Sequence, residues 1–148
     1  MDQYLTFLTN KQQFAIEIAS INKIIDYTEP TKVPEALDYM MGVIEYNEKI
    51  LPIISLSQRL FGVISKDSNA KRVIVLNLKD KQIGYEVDDI IGIRGFETKE
   101  IELANPDLGI TKDYIYGYIK DKKDVIIILD NDKVFTGKQA EMLVAMNA

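Results

Sequence analysis

The 148-residue chain has no cysteine and no histidine. Without cysteine there are no disulfides, no thiolate nucleophiles and no soft-ligand zinc sites. Without histidine every imidazole base is missing, and with it the commonest proton shuttle near neutral pH. An enzyme built on this chain would have to work with Asp, Glu, Lys, Tyr or Ser alone. Excess positive charge is missing too: the net charge is -5, which a phosphate backbone repels unless a local basic patch overrides it. Only Lys120, Lys122 and Lys123 lie close together, and Asp121 and Asp124 interrupt them. Such a mixed patch reads as a solvated turn, not a nucleic-acid site. No apolar run approaches the length of a membrane span. The start, Met1-Asp2-Gln3-Tyr4-Leu5, lacks the basic opening and apolar stretch of a signal peptide. The expectation is a cytoplasmic protein without metal, cofactor, nucleic-acid partner or direct membrane insertion.

What is present is enough apolar mass, 47% of residues, to bury a core in one domain or two tightly joined halves. The apolar segments are short, β-branched and bounded by turn residues, so the chain reads as many short strands. Tyr4 to Leu8 and Phe14 to Ile18 flank a polar turn at Asn10-Lys11-Gln12. Ile21 to Tyr27 is extended, with a helical turn possible near Ala19 and Ser20. Pro30 and Pro34 bar a regular helix there, and Glu35 to Met41 reads as a short helix. Gly42 to Tyr46 and Ile50 to Ile54 form a hairpin around Asn47-Glu48-Lys49, with Pro52 suggesting an edge or bulge. Ser55 caps a short helix that Gly62 ends. Arg72 to Leu78, Gln82 to Val87 and Ile90 to Ile93 follow. Tyr114 to Ile119 and Val125 to Leu129 form a last hairpin, and 136–147 reads as a C-terminal helix rich in good helix formers.

The two halves repeat one another in order. Phe14 to Ile21 lies over Ile83 to Ile90, the strand at Tyr4 over that at Val73, Ile24 over Ile93 and Tyr27 over Phe96. Farther on, Gly42-Val43-Ile44 matches Gly117-Tyr118-Ile119, and Ile50 to Ile54 matches Val125 to Leu129. Five short strands per half would leave edges exposed in a flat sheet, and closure into a small barrel removes them. The expectation is all-β with short helices: two five-stranded barrels side by side, roughly 1–70 and 71–135, with an apolar seam between them.

Motifs for chemistry fail on inspection. Asp130-Asn131-Asp132 opens like a calcium loop, but Val134 and Phe135 stand where an oxygen ligand and a glycine are required. Gly137-Lys138 lacks the earlier glycine and the following Ser or Thr of a phosphate loop. Asp88-Asp89 are neighbours on an extended segment and point to opposite faces, so they read as a turn and not an acid/base pair. No catalytic residue is nominated.

Gly42-Val43-Ile44 followed by Ile50-Leu51-Pro52-Ile53-Ile54 resembles the signature hairpin of the CheW-type chemotaxis coupling proteins. Tyr4-Leu5-Thr6-Phe7, Phe14 to Ile18, Val73 to Leu76 with Gly84 to Asp88, and Tyr114 to Asp130 resemble that family's remaining strands in order. The resemblance implies two SH3-like barrels. It implies a non-enzymatic scaffold that binds the cytoplasmic tip of chemoreceptors and the regulatory domain of the histidine kinase CheA, recruited through these partners to membrane-associated arrays. In the family the receptor tip lies in an apolar groove between the barrels. Ile21, Lys23, Ile24 and Ile25 match one wall and Ile93 the other, although isoleucines here fit a core equally well. Kinase contacts at the barrel ends would involve Gly42 and the hairpin at Asn47. Asn47 and Glu48 replace the family's Arg-Gly, Ser55-Leu56-Ser57 its Asp-Leu-Arg, and Lys23 a frequent carboxylate. These departures leave a second possibility: a CheW-like spacer or inhibitor without kinase coupling.

Overall fold

A computed structural model describes residues 2–34, 37–64, 70–78, 80–103 and 114–135. Ten strands form two five-stranded sheets. The strands are β1 (Asp2–Thr9), β2 (Gln12–Glu17), β3 (Ile21–Asp26), β4 (Met40–Tyr46), β5 (Lys49–Ser55), β6 (Arg72–Leu78), β7 (Lys81–Val87), β8 (Asp89–Phe96), β9 (Ile115–Asp121) and β10 (Asp124–Leu129). One α-helix, α1 (Leu56–Phe61), follows β5. Sheet order is β8-β1-β2-β10-β9 in the first barrel and β3-β6-β7-β5-β4 in the second.

Local chemistry sets the turns. Asn10 and Lys11, and again Asn47 and Glu48, have positive φ, the two-residue hairpin geometry whose twist matches the flanking strands. Ser55 Oγ accepts from the Gln58 N–H at 3.2 Å, and Gly62 at φ 74° ends α1, as the sequence predicts. A 3-10 turn, Ile18–Ser20, leads into β3.

The duplication is real, and its register is kept. Phe7 opposite Phe14 is matched by Leu76 opposite Ile83, 69 residues on, and Leu5 opposite Ile93 by Ile74 opposite Ile24. Gly42 opposite Ile53 is matched by Gly117 opposite Ile128, 75 residues on. The halves are nevertheless interleaved. The first barrel takes the strands of residues 2–17, 89–96 and 115–129, the second those of 21–26, 40–55 and 72–87, so the barrels do not divide near residue 70. Each repeat's third strand crosses over, β3 onto β6 and β8 onto β1. In the first repeat the three-residue connection Ile18–Ser20 makes that crossing.

Two further expectations change. Met40 and Met41 belong to β4, and the Met40 N–H donates to the Leu37 carbonyl in a turn, so no helix runs to Met41. Strand β5 lies inside its sheet, between β7 and β4. Pro52 is tolerated because Val43, opposite it, spends both backbone groups on Thr31, and the ladder to β7 begins only at Ile53. The expected helix over 136–147 lies outside the described residues.

Three apolar clusters follow from strand alternation. Tyr4, Ala15, Phe96, Ile119, Ile126 and Ile128 fill the first barrel. Leu51, Ile53, Val73 and Val75 fill the second. Alternate residues of the same strands, among them Leu5, Phe7, Phe14, Ile54, Ile74, Tyr85 and Ile127, meet in the larger seam cluster that joins the barrels. Strands buried on both faces read as continuous apolar runs, which is why Arg72 to Leu78 does.

Candidate docking surfaces

Strands β3 and β8 each lie at one edge of their sheets, with β4 and β9 at the other, and occupy matched places in the duplication. Cross-strand partners share a face. Ile24 stands opposite Ile74, and Ile93 opposite Leu5; both partners belong to the seam cluster. Ile24 and Ile93 therefore project on the seam side of the two edge strands. Ile21, opposite Leu76, does the same. Ile21 and Ile24 are half-buried against the seam, whereas Ile93 is 64% exposed beside a Leu5 that is 1% exposed. Ile91, in the bulge of β8, is also exposed.

The remaining residues of the predicted receptor wall face the other way. Ile25 is opposite Val73 and packs into the core of the second barrel. Lys23 is opposite Val75, exposed, and makes no ion pair among the described residues. The five residues thus divide into a seam-side set, Ile21, Ile24 and Ile93, and a barrel-side set, Lys23 and Ile25.

The two residues predicted for the kinase also divide. Asn47 sits at the exposed tip of the β4–β5 hairpin. Gly42 is buried at φ 142°, and a Cβ there would lie 2.2 Å from the Thr31 carbonyl oxygen. Glycine at this position lets β4 take the Thr31–Val43 bridge at two 2.9 Å hydrogen bonds. Its contribution to any surface is the shape of that strand.

One cluster escapes motif reading. The guanidinium of Arg59, on α1, lies 4.9 Å from the ring centres of both Tyr39 and Tyr114 and 5.3 Å from Phe135. Its Nε donates to the Val134 carbonyl at 2.8 Å. Tyr39 and Tyr114 are counterparts in the duplication: their carbonyls accept from Ser55 and Asp130 respectively. One arginine thus ties together the two chain segments that lead into the β4–β5 and β9–β10 hairpins. Burial pushes the Tyr39 hydroxyl above its ordinary value, partly offset by Arg59. Complete burial pushes Tyr85 higher still. The 75-residue register of the repeat sets Tyr39 on Tyr114 and Arg59 on Val134, so the arginine has no charged counterpart.

The acidic motifs have structural uses. Asp88 Oδ2 accepts from the Asn10 N–H at 2.8 Å, and the Asp88 N–H donates to the Leu8 carbonyl, pinning the β7–β8 crossing to the first hairpin. Asp130 Oδ1 accepts from the Asp132 N–H within a turn. Among the described residues no three Asp or Glu side chains gather to hold a metal ion, and no helix is long and apolar enough to cross a membrane.

Known proteins share this arrangement. The chain is 27% identical over 132 residues to the chemotaxis protein CheW of Thermotoga maritima, covering 89% of this chain and 86% of that one. It is 26% identical over 146 residues to the chemotaxis protein CheW of Bacillus subtilis, covering 97% and 92%. The crystal structure of the scaffolding protein TtCheW from Thermoanaerobacter tengcongensis superposes with a TM-score of 0.84 at 22% identity, over 93% of this chain and 90% of that one. That likeness is one of fold. The CheW-like domain model matches residues 3–139, nearly the whole chain, and the chain belongs to the CheW-like domain family.

Proposed function

We propose that this protein is a non-enzymatic adaptor of bacterial chemotaxis, coupling chemoreceptors to the regulatory domain of the kinase CheA at membrane-associated arrays. Relatives over nearly its full length carry the name chemotaxis protein CheW. The observation that carries the receptor contact is Ile93, a large aliphatic side chain 64% exposed at the margin of an otherwise buried seam. A receptor's helical hairpin, presenting an apolar stripe, would cover Ile93, Ile24 and Ile21, with Lys23 and Ile25 lending the far side of β3 its charge and its support. The kinase would take the barrel end formed by Gly42 and the Asn47 hairpin. With both partners held in fixed geometry, a change in the receptor biases the kinase through differential contacts.

The test is capture of purified receptor tip and purified kinase regulatory domain by the immobilised chain, separately and together. Binding to both supports the adaptor. Binding to the receptor alone would instead make the chain a spacer, and Asn47→Arg should then create kinase binding. Binding to neither would leave the fold without this role.

A further inference from the structure

The second barrel carries a lysine cation of its own where the first barrel carries only acids. In the second, Lys71 Nζ lies 2.9 Å from Glu86 Oε1 and 5.3 Å from the centre of the Tyr27 ring. Glu86 stands beside Ser55 in the β5–β7 ladder. The register that matches Tyr4 opposite Glu17 to Val73 opposite Glu86 sets Glu17 on Glu86 and Asp2 on Lys71. The register that sets Gly117 on Gly42 sets Asp130 on Ser55. The glutamate is thus kept, its lysine is replaced by an aspartate, and its serine neighbour by a second carboxylate. Around Glu17 the first barrel has a pocket of about 260 Å³. Asp130, Asp132 and Tyr116 line it, together with Ile128 from the barrel core. Asn131 Oδ1, which also belongs to this lining, is buried and has no hydrogen-bond partner among the described residues. Glu17 and Asp132 make no ion pair among the described residues. Lys133 lies 3.9 Å from Asp130 Oδ2, in an exposed pair that is readily exchanged. Burial first, and then the negative charges of Glu17 and Asp2, push the Tyr4 hydroxyl above its ordinary value.

We propose that this pocket binds the ammonium group of a lysine side chain presented by a partner protein, which supplies from outside the cation that the second barrel carries as Lys71. Glu17 takes the ammonium as Glu86 takes that of Lys71. Asp130, Asp132 and Asn131 Oδ1 accept from its remaining protons, since an ammonium offers three donors and accepts nothing. Tyr116, 47% exposed, gives the cation and its methylene chain an aromatic wall. The acids do not gather closely enough to hold a metal ion, and acceptors spread around a pocket suit a side chain entering from solution. The choice of lysine follows the second barrel, where the kept glutamate already holds one. None of these residues is among those assigned to the receptor or the kinase, and the test needs neither partner.

The probe is Nα-acetyl-lysine N-methylamide, titrated at low salt into the purified full chain and followed by amide NMR shifts. Saturable shifts are expected at Glu17, Tyr116 and Asn131. The same compound acetylated on Nζ should produce none. Glu17→Gln should weaken binding by at least about 3-fold. Asp2→Lys gives the first barrel the lysine of the second, so it should compete with the probe and weaken binding further. Glu17 and Asp2 are exposed, so both variants should melt no earlier than the wild type. If Glu17→Gln melts early, Asp132→Asn makes the same comparison with the same outcomes. A wild type without saturable shifts overturns the proposal. So do equal shifts from the acetylated compound, or an affinity that both variants leave unmoved. Butylamine, run in parallel, tests the source of the ammonium: tighter binding of this free amine than of the lysine derivative overturns the assignment to a protein side chain.

Discussion

The two barrels are built to one pattern, and they differ at a core position as well as at ends and edges. Ala15 in the first barrel becomes Gly84 in the second, where a Cβ would lie 2.6 Å from Val73 Cγ1 and 2.8 Å from Ile53 Cδ1. The first barrel is drawn together across its edge strands by Arg94 and Asp121 at 3.0 Å, the second by the Tyr46 hydroxyl donating to Asn22 at 3.0 Å. The second buries an ion pair, Lys71–Glu86 at 2.9 Å, with side chains 9% and 3% exposed; the counterparts in the first, Asp2 and Glu17, are exposed. On the edge strands the half-buried Ile24 has a largely exposed counterpart in Ile93. Register and seam are held in common because a one-residue slip would turn every seam residue outward. The outer positions are free of that constraint, and there the two copies have taken different surfaces.

The largest test of this comparison contrasts the two bridge glycines. Gly42→Ala should cost about 4 kcal/mol, because it forces a side chain into a positive-φ position against a backbone carbonyl. Gly117→Ala should cost less, since its φ lies outside the left-handed region, although a Cβ there would still lie 2.7 Å from the Ile101 side chain and 2.8 Å from the Glu102 carbonyl oxygen. Urea midpoints measure both, and equal losses would deny the asymmetry. Next, Lys71→Met should cost about 3 kcal/mol by leaving Glu86 buried and uncompensated, and adding Glu86→Leu should recover most of it. Neutralising Asp2 or Glu17 should change stability by less than about 0.5 kcal/mol.

A smaller effect appears with pH. Tyr39 and Tyr85 ionise above their ordinary value near 10 because burial disfavours the phenolate. The folded chain thus holds more protons than the unfolded one above about pH 10, and stability should fall as pH rises past it. Tyr39→Phe should blunt that fall. Smallest is the barrel closure: Arg94→Ala should cost less than about 1 kcal/mol, with the difference vanishing at high salt, since the pair is partly exposed.

Much of the fold is legible in the sequence, for identifiable reasons. The strands show because β10 and β6 are buried on both faces and read as apolar runs, and α1 shows because Ser55 and Gly62 supply its caps. The repeat shows because both copies keep the seam positions. What the sequence hides is partner choice. Ile24 meets Ile74 and Ile93 meets Leu5 in matching environments, so pairing within or across the halves looks identical locally. The sequence nominates candidate residues but does not show which surfaces they lie on. Strand alternation sends Ile25 into the barrel core and leaves Ile93 outside, and the bulge between Ile21 and Lys23 shifts that alternation. The Arg59 cluster was hidden because its aromatic partners are distant in sequence.

The central claim is that the seam margin at Ile93 receives a chemoreceptor tip. Titrating purified receptor tip into the wild type and Ile93→Asp, with thermal unfolding of both followed in parallel, tests it most directly. Because Ile93 is largely exposed, the variant should melt as the wild type does. It should bind the tip at least about 10-fold more weakly, the effect of losing about 1.4 kcal/mol of apolar burial. An unchanged affinity in a fully folded variant would contradict the account.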